Sequence, residues 1–134
     1  MTDEMGTFRT DLAIENPVLA GRRATLRDVL VDTGAELSWI PASILDDLGV
    51  ERRQVWHFRQ ADGTVLARST GYAIVHAGGT ETTDEVVFGE PSDFVLLGAR
   101  TLEGLNLRVE PATKRLVDAG PAPAAGVADY EDYH

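Results

Sequence analysis

The residues best placed to do chemistry are Asp32, Thr33 and Gly34, because they follow Val29-Leu30-Val31, an unbroken apolar run. Such a run reads as a strand buried on both faces, so a carboxylate is delivered at a buried strand end and into a turn. A lone aspartate there has three ordinary uses: it caps a helix, closes an Asx turn or holds a metal weakly. Other reactive side chains are less well placed. His57 and His76 lie in separate strand-like stretches and His134 ends the chain, a spacing that suggests no zinc site. The serines lack a nucleophile-elbow setting. With no cysteine in the chain, thiolate nucleophiles, disulfide scaffolds and zinc ribbons are excluded.

The elements that must position Asp32 are mostly strands. Phe8, Leu12 and Ile14 share one parity, Asn16-Pro17 and Ala20-Gly21 interrupt it, and Ala24, Leu26 and Leu30 resume it, which predicts two strands joined by a turn. After Ser38-Trp39-Ile40-Pro41, a short helix is expected over 42–48, stopped by Gly49. Residues 53–77 return to strand character around a polar turn at 60–64, as a long hairpin. Further strands are expected at 85–88, 94–97, 106–110 and 115–117, with a short helix over 99–103. Trp39, Trp56 and Tyr72 are assigned to the core or a pocket wall.

The 134 residues suffice for one domain, expected over 1–118, and show no internal repeat. Residues 119–134, rich in Ala, Pro, Gly and acid, read as a disordered tail. The formal charge is −10, from 22 acids and 12 bases. Asp118, Asp129, Glu131 and Asp132 carry four of those acids, so residues 1–117 hold 18 acids against 12 bases. Acidity and scattered arginines argue against nucleic acid as a partner. No apolar run reaches the roughly 18–20 residues of a membrane span, and residues 1–10 lack a basic and then apolar start, so a soluble, cytoplasmic chain is expected.

The string from Val31 through Asp32-Thr33-Gly34-Ala35-Glu36-Leu37-Ser38 to Trp39-Ile40-Pro41 resembles the active-site loop of aspartic proteases. Asp-Thr-Gly followed by Ala looks like the retropepsins, and Trp-Ile-Pro resembles the Trp-Val-Pro of pepsin-like enzymes. Leu96-Leu97-Gly98 is similar to the apolar pair plus glycine near the end of each protease lobe, and the turn Ala61-Asp62-Gly63-Thr64 stands where the family has its flap. Order and spacing agree across residues 7–117.

The resemblance implies an all-β fold: a single retropepsin-like lobe, a small closed barrel-like or sandwich domain with a flap hairpin and one or two short helices. It implies an aspartic endopeptidase with no cofactor and no metal. Two carboxylates a few ångströms apart cannot both ionise cheaply, so one keeps a proton while the other activates water. One chain carries one Asp-Thr-Gly, so the partner implied is a second copy, with Asp32 of each meeting near a two-fold axis, and the substrate is a polypeptide. Leu105 to Val109 and Arg115 to Val117 are candidate interface strands. Thr33 would bond across to the partner loop and Gly34 would let substrate backbone approach. Glu36, Ala61, Asp62 and Gly63 would bind substrate, with Arg100 as an ion-pair partner for Glu36.

Two departures carry expectations. Ala35 stands where pepsin-like enzymes have a hydroxyl donor to the aspartate, which predicts a mildly acidic optimum. The flap tip is more polar and stiffer than a glycine-rich one, although Asp-Gly is a hairpin-turn signal in any protein. A catalytically silent dimerisation or peptide-binding module would keep the same loop. Asp-Thr-Gly and Asp-Gly-Thr also occur in phosphate loops of actin-like and haloacid-dehalogenase proteins, but 134 residues leave no room for either machinery.

Overall fold

A computed structural model describes residues 8–124. Alternation builds its first two strands, β1 (Arg9–Glu15) and β2 (Arg23–Val31), which pair antiparallel. Leu12, Ile14, Leu26, Val29 and Val31 turn inward and are buried, whereas Leu30 is only half-buried. The turn between the strands is organised by Asn16, only 3% exposed. Its Oδ1 accepts the Val18 and Leu19 N–H groups at 2.7 and 2.9 Å, and its Nδ2 donates to the Leu48 carbonyl at 2.8 Å. An amide so fully bonded can sit in the core.

The remaining strands of the main sheet are β3 (Ser38–Pro41), β4 (Gln54–Arg59), β5 (Val65–Ala77), β6 (Thr80–Gly89) and β7 (Leu96–Leu97), with helices α1 (Ala42–Asp47) and α2 (Ala99–Leu105). The sheet runs β1-β2-β7-β3-β6-β5-β4, and β1 also pairs with β5. That extra ladder closes six strands into a small barrel and removes their edges. Only β4 hangs outside the ring, held to β5 from Gln54↔Thr70 to Arg59↔Val65, so β4 and the first half of β5 form the long hairpin. Ile14, Ile40, Val75, Val86, Phe88 and Leu97 fill the interior.

Several elements shift from their sequence boundaries for visible reasons. α1 stops at Asp47, where the Leu48 N–H bonds back to Ile44, and Gly49 follows. β7 is two residues long, not four, because Phe94 is turned outward at 78% exposure and Asp93 closes a turn with Glu90. Tyr72 belongs to neither core nor cleft: it lies on the outer parity of β5, half-exposed, with the Arg53 guanidinium 6.0 Å from its ring.

The two C-terminal strands, β8 (Leu107–Glu110) and β9 (Arg115–Asp118), pair with each other as a separate antiparallel sheet. Leu107, Val109 and Leu116 share its inner face and pack on the barrel core. Residues 119–124 are neither helix nor strand, and the rest of the proposed tail lies outside the described residues. No helix among the described residues is long and apolar enough to cross a membrane.

Candidate active site

The site is built where β7 is wedged between β2 and β3. Val31 pairs parallel with Leu97, and Trp39 pairs antiparallel with Leu96. The Asp32 N–H donates to the Leu97 carbonyl at 2.9 Å, so the last apolar residues of two strands fix the backbone that carries the carboxylate. The chain then turns tightly: Ala35 N–H donates to the Asp32 carbonyl at 3.1 Å, and Gly34 N–H to Asp32 Oδ1 at 2.9 Å. A Cβ on Gly34 would stand 3.2 Å from that oxygen, so a bare backbone suits this turn. Asp32 and Ala35 are half-buried, and Thr33, Gly34 and Glu36 are exposed.

Helix α2 supports this loop from below. Ala99 and Arg100 N–H groups donate to the Ala35 and Glu36 carbonyls at 2.8 and 3.0 Å. Gly98 permits the approach: a Cβ there would lie 2.5 Å from the Leu37 carbonyl oxygen and 3.0 Å from that of Ala35. Its own N–H donates to Ser38 Oγ at 2.9 Å. Thr101 Oγ1 donates to Asp84 Oδ2 at 2.9 Å, so the 2.6 Å contact between the two hydroxyls must run from Ser38 to Thr101. The relay is buried at Ser38 and Thr101, and short-range sequence signals did not reveal it.

Beside the loop lies a cleft of about 520 Å³. Gly34 to Leu37 and Trp39 form one wall, Trp56, Phe58 and Leu66 of the hairpin form the roof, and Asp93, Phe94 and Leu96 form the other wall. Trp39 meets Phe58 with ring centroids 4.9 Å apart, and Trp56 stacks on Phe58 at 5.8 Å. Two of the three aromatic assignments therefore fall on the cleft. A second concavity of about 690 Å³ lies around His76, Asp11 and Arg23, away from the loop. His76 Nε2 there is 2.7 Å from Glu15 Oε1. Among the described residues, no group of three His, Asp or Glu could hold a metal.

The hairpin tip is exposed, and its residues Ala61, Asp62 and Gly63 do not line the cleft of the single chain, whose roof ends at Gln60. Thr64 ties the tip: its N–H donates to Asp62 Oδ1 at 3.0 Å, and its hydroxyl lies 2.7 Å from that oxygen and 2.6 Å from Gln60 Oε1. These donors hold the Asp62 carboxyl below the usual range. Glu36 and Arg100 do come together, at 3.9 Å on a largely exposed surface. Arg100 stands equally far from Asp84.

Two further carboxylates matter. Asp93 receives Arg68 bidentately, Nε to Oδ2 at 2.7 Å and Nη2 to Oδ1 at 3.0 Å, with both side chains 11% exposed. The guanidinium holds Asp93 below the usual carboxylate range, against the opposing effect of burial. This pair ties hairpin strand β5 to the loop that bears Phe94. Glu85 is buried in β6, 6% exposed. Burial alone would raise its carboxyl, but donors from Thr70, Gln54 and Trp56, with the charge of Arg100, bring it below the usual range.

A closed barrel lobe that presents Asp-Thr-Gly from such a wedged strand, under a hairpin roof, is a retropepsin-like aspartic-protease lobe. The model of the gag-polyprotein putative aspartyl protease family matches residues 23–104, and the chain belongs to that family. Among solved structures the chain is similar to the simian foamy virus (mac) protease in solution, at 22% identity and a TM-score of 0.47, over 70% of this chain and 92% of that one. No curated protein matches the chain.

Proposed function

We propose that the chain is a homodimeric aspartic endopeptidase. The observation that carries the reading is the single Asp-Thr-Gly loop: its backbone is fixed by β7 and α2, while Thr33 and Gly34 stay exposed. One chain offers one such carboxylate, and the chemistry needs two. In the dyad one Asp32 is protonated and the other ionised. The ionised one takes a proton from water as the water oxygen attacks the scissile carbonyl carbon, and the protonated one gives its proton to the carbonyl oxygen. The tetrahedral intermediate then collapses: the C–N bond breaks, the leaving nitrogen takes the proton the dyad took from water, and one hydroxyl of the intermediate returns a proton to the other carboxylate as the new C=O forms. The titration belongs to the pair.

In this reading Thr33 bonds to the partner's loop, Gly34 and Ala35 admit the substrate backbone, and Glu36 binds it from one side. Ala61, Asp62 and Gly63 close over it from the flap. The substrate is a polypeptide, nucleic acid is not a partner, and the protease domain is residues 1–118, with 119–134 as a tail. Without a hydroxyl at Ala35 to stabilise the ionised aspartate, the optimum is mildly acidic.

The test is cleavage of a peptide library between about pH 4 and 7, the range set by a carboxyl pair, with the wild type and Asp32→Asn. Cleavage lost by at least a hundredfold in the variant is the expected result. Equal activity would sink the proposal. Sedimentation across a concentration series reads the dimer separately, and a strict monomer that cleaves contradicts the shared dyad. A dimer that cleaves nothing assigns the lobe instead as a silent peptide-binding module.

A further inference from the structure

The hairpin roof of the cleft projects from the barrel: residues 65–69 of β5 pair with β4 alone, and β5 joins the closed sheet from Thr70 onward. β5 continues into the closed sheet, but β4 is hydrogen-bonded to β5 alone. Of its six residues only Trp56 and Phe58 are even half-buried. Something other than the ladder must fix how this free arm lies on the body, because Trp56 and Phe58 are the roof against which a bound side chain would pack.

We propose that Glu85 is a positioning residue of the cleft: through Gln54 and Trp56 it docks the free arm of the flap on the barrel and so sets the aromatic roof. This rests on the reading of the cleft as a peptide site. Glu85 stands on β6, opposite Tyr72 of β5, two strands away from β4. Its carboxylate reaches across β5. Oε2 accepts Thr70 Oγ1–H and Gln54 Nε2–H, both at 2.6 Å, and the Trp56 indole supplies a third donor. Three donors from two neighbouring strands thus converge on one buried acid.

The charge is what makes the arrangement work. Thr70, Gln54 and Trp56 can each donate here, and a carboxylate accepts at both oxygens, whereas a protonated acid or an amide brings its own hydrogens to face those donors. Groups of neighbouring elements that face Glu85 from β4 and β5 are neutral. The opposing charge is Arg100 of α2, which also serves Glu36 and Asp84. On its own strand, Asp84 Oδ1 accepts the Glu85 N–H at 2.7 Å. A buried carboxylate that cost its desolvation only to stabilise a strand would gain nothing over an apolar residue. Its use here is to hold a polar arm in one place.

Trp39 and Trp56 are the two tryptophans of the chain, so Trp39→Phe leaves Trp56 as the sole indole emitter. In that background, and with Asp32→Asn to silence the dyad, Trp56 emission is followed from about pH 7 to pH 3, across the ordinary glutamate titration near 4.3. The expected result is one transition on the acid side of that value, lost in Glu85→Gln, whose Trp56 is also more open to acrylamide at every pH. This arm needs no cleavage, so it stands whether or not the chain is a protease.

On the otherwise wild-type enzyme, Glu85→Gln is expected to raise KM for a peptide with a large apolar side chain about tenfold, the worth of one charge-assisted hydrogen bond, with a smaller change in kcat. If Glu85→Gln does not fold by circular dichroism, Gln54→Met on the exposed arm carries both readouts, with a higher KM and a more quenchable Trp56 expected. Trp56 emission and quenching identical in the folded variant and its parent, or a kcat loss at unchanged KM, would overturn the proposal.

Discussion

Gly98→Ala isolates the contact between the Asp-Thr-Gly loop and its supporting helix. Gly98 has φ of −96°, so alanine carries no conformational penalty and the cost is purely one of space. The new methyl carbon would stand 2.5 Å from the Leu37 carbonyl oxygen, 2.7 Å from its carbon and 3.0 Å from the Ala35 oxygen. All three are backbone atoms, so no side chain can swing aside. The loop must move away from α2, and it is held there by the Ala99 to Ala35 and Arg100 to Glu36 hydrogen bonds at 2.8 and 3.0 Å.

Overpacking of this kind costs about 1–3 kcal/mol, and two weakened backbone bonds add about 1 kcal/mol each, which gives about 3–5 kcal/mol. A domain of roughly 110 residues has about 6–17 kcal/mol in total, so the variant folds but with a midpoint lowered by about 12–20 °C. Urea unfolding followed by circular dichroism measures the free-energy loss, and thermal unfolding the midpoint. Because the displaced segment carries Asp32, peptide cleavage should fall by more than the unfolded fraction explains. A variant within 1 kcal/mol of wild type would show that the loop does not rest on α2 as described.

Arg68→Ala removes one partner of a nearly buried bidentate pair and should cost about 3–5 kcal/mol in urea, with Arg68→Lys recovering only part because a single ammonium cannot form both bonds. The same pair sets a pH dependence: Asp93 titrates lower folded than unfolded, so its contribution is full above the unfolded value of about 3.9 and is lost as pH falls through the folded one. Stability should therefore decline on the acid side of about pH 4, and Asp93→Asn should flatten that decline; an equally steep acid limb in the variant would reject the assignment. Thr33→Val should leave urea stability within about 0.5 kcal/mol, because the residue is exposed and its hydroxyl has no hydrogen bond among the described residues. It should nonetheless weaken self-association by about tenfold in sedimentation, and unchanged association would remove Thr33 from the interface.

The loop was legible because its signal is local: an apolar strand, an aspartate, a glycine and Trp-Ile-Pro lie within a dozen residues. The same holds for the turn at Asn16, the helix stop at Gly49 and the tip at Asp62. What escaped the sequence spans many residues. Arg68 meets Asp93 and Ser38 meets Thr101 only after the barrel closes, and a lone arginine or serine in a strand carries no mark of its partner. Glu85 was hidden by its company: an acid before Val86-Val87-Phe88 reads as a solvated strand start, yet the register opposite Tyr72 turns it under Gln54 and Trp56. Tyr72 does line a pocket, but the one beside Val50 and Arg53 and not the cleft, since its parity on β5 turns it outward. The extent of β7 was beyond the pattern too, since Phe94 has the hydropathy of a core residue and only the Glu90 to Asp93 turn sends it outward.

These contacts divide the loop and its cleft by rigidity. The backbone donors of Asp32, Gly34, Ala35, Gly98, Ala99 and Arg100 all have acceptors within the chain, so the segment that carries the carboxylate is committed before anything binds. The roof is committed differently. Its inner arm runs on into the closed ladder at Thr70 and is clamped by Arg68, while its outer arm depends on side chains, chiefly Glu85 with Gln54 and Trp56, and on the contact of Phe58 with Trp39. Side-chain contacts to one buried acid can be released at far lower cost than a six-residue ladder. The fold therefore places its more adjustable element over the cleft and its fixed element under the Asp32 carboxylate, so that a ligand could enter the cleft without disturbing the loop.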